Sequence, residues 1–353
     1  MKHKWIIIVT GLVVGVLAIA LTIWGNPANM GFCIACFLRD IAGGLGLHRA
    51  AVVQYLRPEI IGLGLGAMII ALATGEFKAR GGANPLRRFV LGFLMMIGAL
   101  AFLGCPLRMI LRLAGGDLNA LIGLFGFIAG ILVGIAALKS GYNPGRAVPQ
   151  AKSTGFVYPV ILIALLAALL LRPDFIFFSE SGPGSMTAPI IAALAAGLLV
   201  GAFAQRSRLC MAGGIRDTFL IKDAHLLWGF VAIFVAALAG NLILSKFNLS
   251  FAGQPVAHSQ HLWNFLGMAV VGIAAVLAGG CPLRQLILAG EGDTDAVLTV
   301  FGMVVGAAFA HNFGLAASPA GLSTNGRVAV ISSIVILALI GFGHRLCRKC
   351  CNK

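Results

Sequence analysis

Apolar runs long enough to cross a lipid bilayer follow one another along almost the whole chain, and they leave few folds open. Crossing a hydrocarbon core of about 30 Å takes roughly 20 helical residues. Stretches bounded by charges, Gly and Pro give ten candidate spans, near residues 5–24, 52–74, 88–104, 118–139, 156–171, 188–205, 225–245, 262–280, 294–311 and 326–345. In lipid each backbone N–H and C=O must be satisfied within its own segment, so runs of this length are read as helices. Only 10% of the residues are charged, against about a quarter in a soluble domain. The expected fold is an all-α polytopic membrane protein of about ten spans.

Lys2 and Lys4 precede the first run as they would in a signal peptide. The run from Trp5 to Trp24 is too long for an h-region and no A-x-A site closes it, so it is expected to stay as the first span. No hydrophilic block is large enough to fold alone and no GxxxxGK[ST] loop is present, which argues against nucleotide-driven chemistry. The net charge of +15 then reads as a topology determinant and an anion attractor rather than as nucleic-acid binding.

Four segments break the apolar pattern. Residues 29–46, 105–116, 206–222 and 281–292 are short, rich in Gly and Cys, and too polar to face lipid. They also repeat. A shift of 176 residues carries Cys105-Pro106-Leu107-Arg108 onto Cys281-Pro282-Leu283-Arg284, and Gly116-Asp117 onto Gly292-Asp293. A shift of 177 carries Cys33 onto Cys210 and Arg39-Asp40 onto Arg216-Asp217. The chain reads as a duplication: residues 1–139 form a first repeat, 140–187 a cytoplasmic linker with an extra span, 188–311 a second repeat, and 312–353 a last span with a basic tail. The extra span makes the repeats inverted, the arrangement by which secondary transporters place one site near the midplane on interrupted helices.

Basic linkers set the expected orientation. Lys2, Lys4, Lys78, Arg80, Arg87, Arg88, Lys139, Arg146, Lys152 and the tail "RLCRKCCNK" fall on one side, read as cytoplasmic with both termini. Cys33 and Cys105 are then expected to be reached from outside, and Cys210 and Cys281 from the cytoplasm.

In "GCPLR" the proline suits the first turn of a helix, where its missing N–H is not needed. That puts each cysteine at a helix N-terminus, whose free N–H groups favour an anion or a thiolate. Arg108 and Arg284 add full charge, and an intramembrane arginine is a functional candidate by default. Arg39-Asp40 and Arg216-Asp217 read as self-neutralising braces. A single buried cysteine usually packs as a small hydrophobe, but Cys33, Cys105, Cys210 and Cys281 occupy matched places. Together with Arg108 and Arg284 they form the candidate substrate path. Cys36, matched by Gly213, and the tail residues Cys347, Cys350 and Cys351 are possible accessories. His225, His258, His261 and His311 are scattered, and neither a metal site nor a cofactor site is read. Neutral thiols are weak donors suited to a large, polarisable anion; thiolates would instead favour Cu(I). A membrane thiol–disulfide oxidoreductase built on Cys33-x-x-Cys36 is the alternative from another class.

At these residues the chain resembles the YeeE/YedE family of sulfur-species membrane transporters, and more closely its branch associated with selenium metabolism. The resemblance implies an enzyme-free function in a bacterial or archaeal inner membrane: passage of a sulfur- or selenium-containing anion, such as thiosulfate, along Cys33, Cys105, Cys210 and Cys281. A small cytoplasmic sulfur or selenium carrier protein is a possible partner for the tail cysteines.

Overall fold

A computed structural model describes residues 2–351, with side chains from Trp5 to Gly343. Cys347, Cys350 and Cys351 lie outside the described side chains. The chain is helical throughout: α1 (Lys2–Ile23), α2 (Ile34–Gly44), α3 (Pro58–Ala73), α4 (Pro85–Phe102), α5 (Pro106–Ala114), α6 (Leu118–Lys139), α7 (Lys152–Gly155), α8 (Val157–Leu171), α9 (Ile190–Ser207), α10 (Met211–Leu220), α11 (His225–Ile243), α12 (His261–Leu277), α13 (Pro282–Gly290), α14 (Thr294–Asn312) and α15 (Thr324–Cys351). One antiparallel ribbon pairs β1 (Arg80–Gly81) with β2 (Val148–Pro149). Eight helical stretches are long and apolar enough to cross a membrane, and the shorter α3 and α8 are as apolar. The all-α polytopic reading holds, with eight of the ten expected spans at crossing length among the described residues and α3 and α8 shorter than that.

The ribbon marks one face of the bundle. Lys78 and Arg80 donate backbone N–H groups to the carbonyls of Glu291 and Gly292, so residues 74–84, 140–151 and 291–293 meet there. On the opposite, loop face, Phe177 donates to the carbonyl of Gly44 and Leu118 to that of Ser250.

The halves interlock by exchange. First-half α1 and α3 correspond by sequence to α9 and α11, yet α1 packs on α11 and α3 on α9. Likewise α4 and α6 correspond to α12 and α14, and α4 packs on α14 while α6 packs on α12. Within each exchanged pair the helices run parallel: Gly126 meets Phe265, Gly130 meets Ala269 and Gly134 meets Val276 along α6 and α12. A Cβ at Gly126 or Gly130 would overlap the facing backbone. Small residues are what allow helices to approach this closely where lipid offers no hydrophobic drive.

The interrupted segments enter from opposite faces. After α1 reaches the loop face, residues 24–33 turn back inward and α2 returns outward; after α9 reaches the ribbon face, α10 does the same there. The candidate span 52–74 starts later than expected, at Pro58, because residues 45–57 cross the loop face as irregular chain. Tyr55 donates its N–H to the carbonyl of Asp40, and proline at the first helical position starts α3. Segments of irregular backbone are tolerated at this depth because protein surrounds them. All eleven residues of α2 and all but one of α5 are buried.

Candidate functional site

Both "GCPLR" copies break a long helix in the same way. α4 ends at Leu103 in the left-handed conformation (φ 62°), and the matched position after α12 is Gly279 (φ 80°). A leucine there costs conformational energy that a glycine does not. Cys105 and Cys281 follow as extended N-caps with matching backbone angles, and Pro106 and Pro282 open α5 and α13. Cys33 and Cys210 are the N-caps of α2 and α10: the sulfur of Cys33 accepts from the Cys36 N–H (3.3 Å) and that of Cys210 from the Gly213 N–H (3.2 Å). The repetition seen in the letters is a repetition of geometry.

These caps meet in two clusters. On the loop-face side the thiol of Cys33 is a neighbour of Cys105, and the sulfurs of Cys33 and Cys36 stand 2.7 Å apart. On the ribbon-face side Cys210 and Cys281 are neighbours, and the Cys281 N–H donates to the Cys210 sulfur (3.5 Å). Each cluster joins two helix N-termini, α2 with α5 and α10 with α13. Free N–H groups and helix dipoles make such ends attractive to an anion. Four of the five thiols are at most 1% exposed and Cys210 is 5% exposed, so both clusters are shielded from solvent.

The two arginines differ in their partners. Arg108, wholly buried, donates to the carbonyls of Leu103, Pro255 and Val256, and its Nη1 lies 3.8 Å from the Cys36 sulfur. No carboxylate touches it among the described residues. Arg284 instead forms an ion pair with Glu291 (3.1 Å), which Arg80 also approaches at 3.6 Å. Among the described residues, only the loop-side cluster holds an uncompensated guanidinium. Above it a cavity of about 400 Å³ opens among Arg39, Leu103, Val256 and His311. Two carbonyls that hold Arg108, those of Leu103 and Val256, belong to residues of that lining.

The Arg-Asp pairs are ion pairs: Arg39 to Asp40 at 2.7 Å and Arg216 to Asp217 at 2.8 Å. Arg57 shares Asp40 at 2.7 Å, so two guanidinium groups face one carboxylate. Arg112 pairs with Asp117 at 2.7 Å and lies over the Phe102 ring. Sequence reasoning passed over Arg57, Glu59 and Arg112, all buried. An acid inside the apolar run 52–74, and an arginine one helical turn after Arg108, were the signals available.

Residues 206–341 match the family described as Sulphur transport. That match bears out the resemblance to the YeeE/YedE family. The matched segment holds Cys210, Cys281 and Arg284, while Cys33, Cys105 and Arg108 lie outside it. The chain is 28% identical over 121 residues to the thiosulfate transporter TsuA of Escherichia coli (strain K12), covering 34% of each chain. It is 33% identical over 103 residues to the thiosulfate transporter TsuA of Spirochaeta thermophila, covering 29% of this chain and 31% of that one. The aligned part thus spans about a third of the length of either relative. These names speak of thiosulfate and sulphur, not of selenium.

Proposed function

We propose that this protein is a membrane transporter, not an enzyme, which imports a sulfur-containing anion of the thiosulfate type along Cys33, Cys105, Cys281 and Cys210. The observation that carries this reading is the pair of buried thiol clusters at matched helix N-termini, one of them holding the free charge of Arg108. An anion entering from the loop face meets net positive charge, because Arg39 and Arg57 share Asp40 and Arg108 has no acidic partner. Helix N–H groups and thiols then solvate it where water is excluded. Thiols are weak donors, so a soft terminal sulfur is accommodated without being held fast, and release toward Cys281 and Cys210 stays easy.

The ribbon face carries Lys78, Arg80, Arg87, Arg88, Lys139, Arg146 and Lys152. By the positive-inside rule it is the cytoplasmic face of an inner membrane, with both termini on that side. Residues 1–139 and 188–311 act as the inverted repeats, and a cytoplasmic carrier protein is the natural recipient of the cargo. The 2.7 Å separation of Cys33 and Cys36 suits a dithiol redox centre as well. That reading leaves Cys105, Arg108 and the whole second cluster without a task.

Uptake of radiolabelled thiosulfate into proteoliposomes tests the proposal, with unlabelled sulfate and selenite as competitors. Saturable uptake that sulfate barely inhibits is expected. Competition by selenite as strong as by thiosulfate itself would extend the cargo to selenium. Absence of uptake, or equal inhibition by sulfate, would overturn the soft-anion reading.

A further inference from the structure

Glu59 stands in the first turn of α3, 1% exposed. The other buried carboxyls of the described residues, Asp40, Asp117, Glu291 and Asp295, each have an arginine within ion-pair distance. Glu59 has none. Its Oε1 accepts from the Asn26 side-chain amide (2.6 Å), and its Oε2 has no hydrogen-bond partner. Asn26 is itself fixed, accepting from the Ala188 N–H (2.8 Å), so the carboxyl is pinned with one oxygen idle.

The nearest cation offers no relief. Arg57 donates Nε to Asp40, Nη1 to the carbonyl of Met186 and Nη2 to that of Pro183. The charged and titratable groups facing Glu59 are Arg57 and Tyr55 on its own segment and Asp40 on α2, which Arg39 also holds; Arg172, at the end of α8, lies beyond Tyr55. Asn26 meets it from the first loop and Gly197 from α9, and neither titrates; Ala188, before α9, holds Asn26 in place. An ionised carboxyl with an unpaired oxygen is costly where water is excluded, and a proton removes that charge. A hard metal ion would need several oxygen ligands converging at once, and no group of three or more His, Cys, Asp or Glu gathers there among the described residues.

The helix that carries Glu59 touches both thiol clusters' supports. Arg57, its N-cap, braces Asp40 on the helix that Cys33 caps. Further along, the carbonyl of Gly64 meets Gly290 at the end of α13, the helix that Cys281 caps. The backbone of Glu59 itself lies against Gly197 of α9. A change of charge on this carboxyl therefore acts on one helix that contacts the supports of both clusters.

We propose that Glu59 is a proton-binding site that couples anion uptake to a pH gradient. This rests on the transport reading above. The carboxylate takes a proton from the loop face, carries it as the neutral acid while the anion passes, and releases it to the ribbon face. Each cycle thereby moves one proton with the anion, which offsets one of the two charges of a dianion.

The test uses the full chain in proteoliposomes with the membrane potential clamped, a pH dye in the lumen and radiolabelled thiosulfate outside. Wild-type protein is expected to accumulate thiosulfate in response to external acid, by about tenfold per pH unit for each coupled proton, with acidification of the lumen. Glu59→Gln, neutral at every pH, should keep thiosulfate–thiosulfate exchange and lose the accumulation driven by the gradient. Wild-type thiosulfate entry without proton movement overturns the coupling, even if Glu59→Gln fails to reach the membrane. Gradient-driven accumulation retained by Glu59→Gln overturns the assignment to this residue. Absence of thiosulfate flux under every condition would instead defeat the transport reading beneath it.

Discussion

Arg108 holds its guanidinium 3.8 Å from the sulfur of Cys36, with carbonyl oxygens and no carboxylate around it. Its counterpart Arg284 is paired with Glu291. The same five letters thus support an unneutralised charge at one cluster and a neutralised one at the other. The difference comes from the residue seven places after each arginine, Gly115 in the first repeat and Glu291 in the second.

If the proposed path is right, Arg108→Gln raises the KM for thiosulfate by roughly tenfold or more with a smaller change in the maximal rate, because it removes an unpaired positive charge beside the loop-side thiols. Concentration-dependent uptake by proteoliposomes separates the two parameters. An unchanged KM would mean that Arg108 is structural.

Arg284→Gln should act on stability instead. Removing one partner of a buried ion pair costs about 3 kcal/mol or more, reduced here because Arg80 remains 3.6 Å from Glu291. A lowered melting temperature in detergent is expected, and the Arg284→Gln, Glu291→Gln double variant should recover part of it. Loss of uptake at unchanged stability would place Arg284 in the path itself.

Much of this was legible in the letters. Apolar length gave the spans, and the repeated Cys, Pro and Arg-Asp gave the interrupted segments, since each depends on residues close in sequence. The partners of the charges were not legible. Arg57 finds Asp40 across a loop, Arg80 finds Asp293 from the other half of the chain, and Glu291 gives no local sign that it faces Arg284. Helix exchange was equally hidden: stretches of Gly and Ala promise close packing without naming the partner helix.

Single cysteines placed at Gly145 and Gly182 in a cysteine-free background should label from opposite sides of the membrane. Gly145 lies in the linker that meets the ribbon, and Gly182 in the loop whose neighbour Gly184 donates to the carbonyl of Val52. An impermeant maleimide added to intact cells is expected to reach position 182 and not 145. Equal labelling would contradict the orientation and the inverted arrangement with it.

Cys36→Gly imitates Gly213 at the matched place in α10, where the Cys210 sulfur still caps its helix through the Gly213 N–H. Because the cap on α2 uses the Cys36 backbone N–H, the variant should retain at least about half of wild-type uptake, with a stability loss of about 1–2 kcal/mol from the missing buried side chain and the added glycine. Uptake assayed against membrane-inserted protein, with melting temperature alongside, checks both. Complete loss of uptake in well-inserted protein would move Cys36 from accessory to essential.

The most direct measurement is thiosulfate uptake by the Cys105→Ser, Cys281→Ser double variant in proteoliposomes, normalised to protein in the membrane. Serine keeps the approximate size and a hydrogen-bond donor, but presents a hard oxygen where each cluster offers a polarisable sulfur. The prediction is that uptake falls to about a tenth of wild type or below while the melting temperature shifts by only a few degrees, as expected for a near-isosteric change within two helix caps. Wild-type uptake by this variant would contradict a path made of cysteine thiols.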